Sequence, residues 1–224
     1  MNLSQNHYAQ FYLTPEFLVE RIAKFASLGL THEAGVIIIA LPEHIYLLKK
    51  TLEKDFDLER LAARGQFVVK DANEALALFM ENGRPDPERF EAAMGSVIRE
   101  MSQKFSLVRA YGEMVNILWE HENKQATFEL EALWTDLAQR HNFSLLCGYS
   151  MKNFAKENVT GDFSNVCGCH SHVYPDETYA AAPGDNDQYR RLIAELQQRN
   201  LALQNECTAR RDLEIEIINL KKLR

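Results

Sequence analysis

The sequence predicts a three-layer α/β domain, a mainly parallel five-stranded sheet covered by helices and followed by a long C-terminal coiled-coil helix. Three observations lead there. The run Gly35-Val-Ile-Ile-Ile-Ala-Leu41 is apolar without alternation, which marks a strand buried on both faces of a parallel sheet. Short runs of this kind alternate along the chain with stretches of helical periodicity, the pattern of βα units with right-handed crossovers. Residues 188–224 contain neither Pro nor Gly and read as a single helix.

Each element has a local reason. His7-Tyr-Ala-Gln-Phe-Tyr12 is a first strand, and Thr14 and Pro15 open a helix to about Leu28 as N-cap and N1 residues. Phe17, Leu18, Ile22 and Phe25 form the apolar stripe of that helix. After the strand ending at Leu41, Pro42-Glu43-His44 turns the chain into a helix carrying Ile45, Leu48 and Leu52. Gly65 to Asp71 is the third strand, and Asp71 with Glu74 starts the next helix as a capping box does. Gly83 to Pro87 is a loop, and Pro87 opens a helix to about Lys104. The stretch Ser106 to Gly112 is the fourth strand, followed at once by a helix through Trp119. Residues 124–141 are helical, with Phe128, Leu130, Leu133, Trp134 and Leu137 as the stripe, and Phe143 to Tyr149 is the fifth strand.

Ala180 to Asp187 is a composition break of small and turn-forming residues, so residues 1–180 form one domain and 181–224 a linker and coiled-coil helix. Ile193, Leu196, Asn200, Leu203 and Cys207 keep coiled-coil spacing, while Leu213, Ile217 and Leu220 fit a shifted register, the mark of a stutter. A polar helix of this kind is marginal alone in water. A homodimer through 189–224 supplies its partner; folding back onto the domain is the alternative.

The chain of 224 residues is 46% hydrophobic and carries a net charge of -7, so it can build a core but offers no basic surface for nucleic acid. No stretch reaches the roughly 18 uncharged apolar residues of a membrane span. The N-terminus lacks signal-peptide character, and four cysteines suit free thiols, so the expected location is cytoplasmic.

Glycine-lysine phosphate loops and Gly-x-Gly-x-x-Gly turns are both missing, which argues against an NTPase. In parallel sheets ligands collect at the carboxyl ends of strands. The candidate ligand residues are therefore strand ends and the turns beyond them: Tyr12, Pro42, Glu43, His44, Arg109, Tyr111, Glu113, Cys147, Tyr149, His170 and His172. Glu113 alternatively caps its helix, and Arg109 alternatively pairs with a carboxylate. Cys167, Cys169, His170 and His172 are a candidate metal set, although four ligands within six positions strain any regular backbone. On a helix Cys167 and His170 share one face and Cys169 and His172 another, and either pair can be completed by Cys147 or His44. The bland alternative is a packed helix with satisfied histidines.

The residues so laid out resemble the MEDS domain, the sensory domain named from methanogen and methylotroph signalling proteins, over about Tyr8 to Tyr179. The resemblance is carried by Phe17-Leu-Val-Glu-Arg21 with Phe25 and Gly29-Leu30, by Ile39-Ala-Leu-Pro-Glu-His44, and by Asp71-Ala72. It continues in Phe79-Met-Glu-Asn-Gly-Arg-Pro-Asp86 with Phe90, Gly112-Glu-Met-Val115 with Leu118-Trp119, and Leu130-Glu-Ala-Leu-Trp134. Phe143-Ser-Leu-Leu-Cys147 with Tyr149, and Cys167 with His170-Ser-His-Val173, Pro175 and Glu177, complete it. The resemblance implies a RecA/KaiC-like fold with a degenerate phosphate loop. It also implies a non-enzymatic input module without cofactor that binds a small organic effector and acts on a downstream signalling domain of histidine-kinase or regulator type. The alternatives are a degenerate nucleotide-binding protein and a redox or metal sensor built on the Cys/His cluster.

Overall fold

The structure, a computed structural model, describes residues 7–155, 160–179 and 186–222. Its centre is a sheet of six parallel strands: β1 (His7–Tyr12), β2 (Gly35–Ala40), β3 (Phe67–Asp71), β6 (Val108–Gly112), β7 (Phe143–Ser150) and β8 (His172–Tyr174). The spatial order is β3-β2-β6-β7-β1-β8. Every residue of β2 is buried, as its unbroken apolar run requires. The sixth strand corrects the expectation of five. β8 is three residues long and lies at the sheet edge beside β1, in a stretch where the sequence pattern is weak, and its length leaves no periodicity to read. A two-residue hairpin, β4 (Met80–Glu81) and β5 (Arg84–Pro85), replaces the expected loop. Asn82 and Gly83 at its tip both have positive φ, as a type I′ turn demands.

Helices α1 (Pro15–Thr31), α2 (Pro42–Leu52) and α3 (Leu58–Ala63) cover one face of the sheet. The other face carries α4 (Ala72–Phe79), α5 (Pro87–Phe90), a π turn at Glu91–Gly95, α6 (Ser96–Lys104), α7 (Met114–Glu120) and α8 (Lys124–Arg140). A 3₁₀ turn (Met151–Phe154) and α9 (Thr160–Cys169) complete that layer. The two faces follow strand alternation. His7, Ala9 and Phe11 of β1 point to the α8 side, and Tyr8 and Tyr12 to the α1 side. Trp134 anchors the larger core, with Phe90 and Phe143 against its indole. Burying a ring of that size contributes roughly 3 kcal/mol.

The last helix, α10 (Asp187–Lys222), is docked over its first half and free over its second. Ala194, Gln198 and Ala202 are buried against the domain, and residues 203–220 are exposed. Hydrogen bonds fix the docked half: Gln198 to the Phe154 carbonyl (2.8 Å), Asn205 to the Ala155 carbonyl (3.2 Å), and Arg191 to the carbonyls of Cys167 and His170. Most of the expected break before this helix, residues 180–185, lies outside the described residues.

Candidate functional site

The expected site residues separate into three places. At the carboxyl edge of β2 and β6, Glu113 is fully buried and holds two turns together. Its carboxylate accepts hydrogen bonds from the Leu41 N–H, from His44 Nδ1 (2.8 Å) and from the Tyr111 hydroxyl (3.2 Å). Glu113 therefore caps the start of α2 across the sheet edge rather than its own helix. Burial pulls the His44 imidazole down, but its bond to Glu113 and the neighbouring carboxylates outweigh that and raise its pKa. Burial first, then the carboxylates of Glu113, Glu120 and Glu43, pushes the Tyr12 hydroxyl up. Pro42 and Glu43 are exposed at the first turn of α2. The structure thus gathers Tyr12, His44, Tyr111 and Glu113, but as a satisfied latch.

On the opposite face, Cys147, Tyr149 and His170 meet two residues that sequence reasoning passed over, His7 and Glu131. All five are buried. His7 Nε2 lies 3.1 Å from Glu131 Oε2 and 3.4 Å from Cys147 Sγ, and His170 Nε2 lies 3.3 Å from Glu131 Oε1. The Tyr149 hydroxyl donates to Glu131 Oε1. Burial, then the neighbouring His170, hold the His7 imidazole below its usual range. Burial also opposes charge on Glu131, but the two imidazoles outweigh it and keep the carboxyl well below its ordinary value. Burial and Glu131 push the Cys147 thiol well up. The chain builds this cluster because α8 places Glu131 on its buried stripe, one turn from Thr127 and Trp134. The turn after α9 is pinned to β1 by Ser171, whose N–H and hydroxyl donate to the His7 carbonyl (2.9 and 2.8 Å).

The four-residue set Cys167, Cys169, His170 and His172 does not assemble among the described residues. α9 ends at Cys169, so the chain no longer follows a helix face through His172. His170 turns inward, while His172 lies in β8, stacked on Tyr8 (5.0 Å between ring centres) and 3.0 Å from Asp187. Burial pushes the Cys167 and Cys169 thiols up to about 12.

The third place is an open groove of about 320 Å³ on the α1 face. Its walls are Tyr8, Phe25, Leu146 and Tyr174, and its polar groups are Gln10, Arg21, Lys24 and Arg109. Arg21, Lys24, Phe25 and Leu28 share one face of α1 at i, i+3, i+4 and i+7. Arg109 is the one expected site residue that lines the groove. It stands on the second residue of β6, facing α1, and so well away from Glu113 rather than beside it at the strand end. Its guanidinium lies 4.0 Å above the Phe25 ring, and its Nε is buried without a hydrogen-bond partner. Among the described residues no carboxylate pairs with it. Burial lowers the pKa of Arg109, and only the phenols of Tyr8 and Tyr174 act against that. The side chain reaches the groove by running over Gly29, where a Cβ would stand 2.7 Å from Arg109 Cδ.

Alternation in β1 holds the signal for the missing residues. Once Phe11 is placed in one core, His7 must share its face and Tyr8 must take the other. Glu131 was equally legible, as a carboxylate within an apolar helical stripe.

Compared with known families, residues 6–171 match the one described as MEDS, "MEthanogen/methylotroph, DcmR Sensory domain". No curated protein matches the chain.

Proposed function

As this chain belongs to the MEDS family of sensory domains, we propose that it is a cytoplasmic, non-enzymatic input domain that binds a small organic acid in the Arg109 groove. The effector state passes through α10 to a downstream signalling domain or partner of histidine-kinase or regulator type. The observation that carries this reading is Arg109 itself. A partly buried guanidinium without a carboxylate partner, beside Arg21 and Lys24 and walled by aromatic rings, suits a carboxylate on a flat apolar body.

Two contacts support the route to α10. The Tyr174 ring carries the Arg190 guanidinium at 5.2 Å, and His172, stacked on Tyr8, bonds Asp187. Both partners belong to the first turn of α10, so a ligand that moves Tyr8 or Tyr174 changes how that turn sits. A signal requires the two dockings of α10 to bind the effector unequally. The start of α1 also supports a sensor over a nucleotide enzyme. There the Glu177 carboxylate takes the Leu13 N–H (2.9 Å) and the Thr14 hydroxyl (2.6 Å), donors that a phosphate would use.

Titration calorimetry with benzoate, a panel of aliphatic carboxylates and the neutral analogue benzyl alcohol tests the site. The expected result is that at least one acid binds and benzyl alcohol does not. Arg109→Gln then weakens the acid by tenfold or more, the loss of about 1.5–3 kcal/mol for a charge-assisted contact. Equal binding of acid and alcohol, no binding by any acid, or an unchanged affinity in Arg109→Gln overturns the assignment.

A further inference from the structure

We propose that His7, Glu131, Cys147 and His170 form a buried binding site for a divalent transition-metal ion, zinc(II) or iron(II), distinct from the effector groove. The four ligand atoms all lie within 4.8 Å of one another. Bond lengths of 2.0–2.3 Å to a tetrahedral ion imply ligand-to-ligand distances of about 3.3–3.7 Å. The distances seen are 3.1 Å (His7 to Glu131), 3.4 Å (His7 to Cys147), 3.3 Å (His170 to Glu131) and 4.0 Å (Cys147 to Glu131). With every pair of ligand atoms within 4.8 Å, shifts of up to about 1 Å complete the tetrahedron.

The hydrogen bonds around the cluster point the same way. His170 Nδ1 lies 2.8 Å from the Val166 carbonyl, so it must carry the proton and donate. In the neutral ring this leaves the Nε2 lone pair facing Glu131 Oε1, buried and without a hydrogen-bond partner. That lone pair and the carboxylate are placed to share a cation between them. The second ring has matching support, with Thr135 Oγ1 3.5 Å from His7 Nδ1. Tyr149 bonds Glu131 as an outer-shell partner orients a metal-ligating carboxylate. Charge balances as well. One carboxylate, one thiolate and two neutral imidazoles offset a dication, so the filled site is neutral within the core.

The site also touches the output helix, because Arg191 of α10 donates to the His170 carbonyl (3.0 Å). Metal occupancy therefore fixes the turn on which α10 is docked.

Cobalt(II) titration of the full chain tests the site, in a Cys207→Ser background that removes the exposed thiol. The expected result is one equivalent bound, with tetrahedral visible bands and a thiolate charge-transfer band. That band is lost in Cys147→Ser and kept in Cys169→Ser. Tyr149→Phe, which leaves all four ligands in place, is expected to weaken binding 10–100-fold. Metal analysis of protein purified without chelator is expected to return one equivalent of zinc or iron. Failure of the parent protein to bind cobalt stoichiometrically overturns the proposal. So does a charge-transfer band that survives Cys147→Ser, or full affinity in His170→Gln.

Discussion

Two buried carboxylates, Glu113 and Glu131, each gather the polar groups around them. Glu113 collects one backbone N–H, one imidazole and one hydroxyl, and each of those donors would be left buried and unpaired without it. Glu113→Ala is accordingly expected to cost roughly 3 kcal/mol, read as a lower midpoint of urea unfolding. The pair also sets a pH dependence. The folded pKa of His44 lies above its unfolded value of 6.5, so the stability it contributes is complete below about pH 6.5. That contribution is lost as pH rises through the folded value. Urea unfolding across this window is expected to show falling stability in the parent and a flatter profile in His44→Gln. At this scale the sequence was half legible. Tyr111 and Glu113 stand two apart at a strand end and so met as expected, whereas Arg109, another two residues back, lies deeper in the sheet. Residues i and i+2 of a strand share a face but sit about 7 Å apart, and that distance separates two sites.

Elements follow their signals more faithfully than residues do. Asp71 caps α4 through the N–H groups of Asn73 (2.7 Å) and Glu74 (3.2 Å), as the spacing of Asp71 and Glu74 suggests. Asp71→Ala is expected to cost about 1 kcal/mol of stability by chemical denaturation. The unbroken run in β2 foretold burial on both faces, and burial is what it has. β8 escaped because three residues carry no period, and its partner β1 is 164 positions away for each paired residue. α10 shows how docking changes the reading of a heptad. Its exposed Leu192, Leu196, Leu203, Leu213, Ile217 and Leu220 fall on one 3–4 spacing, with Arg199, Glu206 and Arg210 at the remaining positions, while the exposed Ile215 and Ile218 lie off it. Ile193, Asn200 and Cys207 belong to a neighbouring register of the same helix, in which Ile193 is partly buried and Asn200 and Cys207 are exposed. Ala194 and Ala202, small enough for close approach, lie instead on the face turned to the domain.

For the whole molecule, the parallel sheet and the layers on its two faces were legible because periodicity reports burial. The groove was not, because its walls come from β1, β6, β7, β8 and α1, which only the strand order brings together. No helix among the described residues is long and apolar enough to cross a membrane. The exposed seam of α10 suits a second copy of the chain. Sedimentation is expected to give a dimer for the parent and a monomer for Leu213→Asp/Ile217→Asp, with the domain still folded. The proposed function requires the groove and the docked half of α10 to move as one. Hydrogen exchange of residues 187–205 with and without the bound carboxylate tests it most directly. Altered protection in the parent, absent in Arg109→Gln, is the expected result; saturating carboxylate that leaves protection of 187–205 unchanged contradicts that coupling.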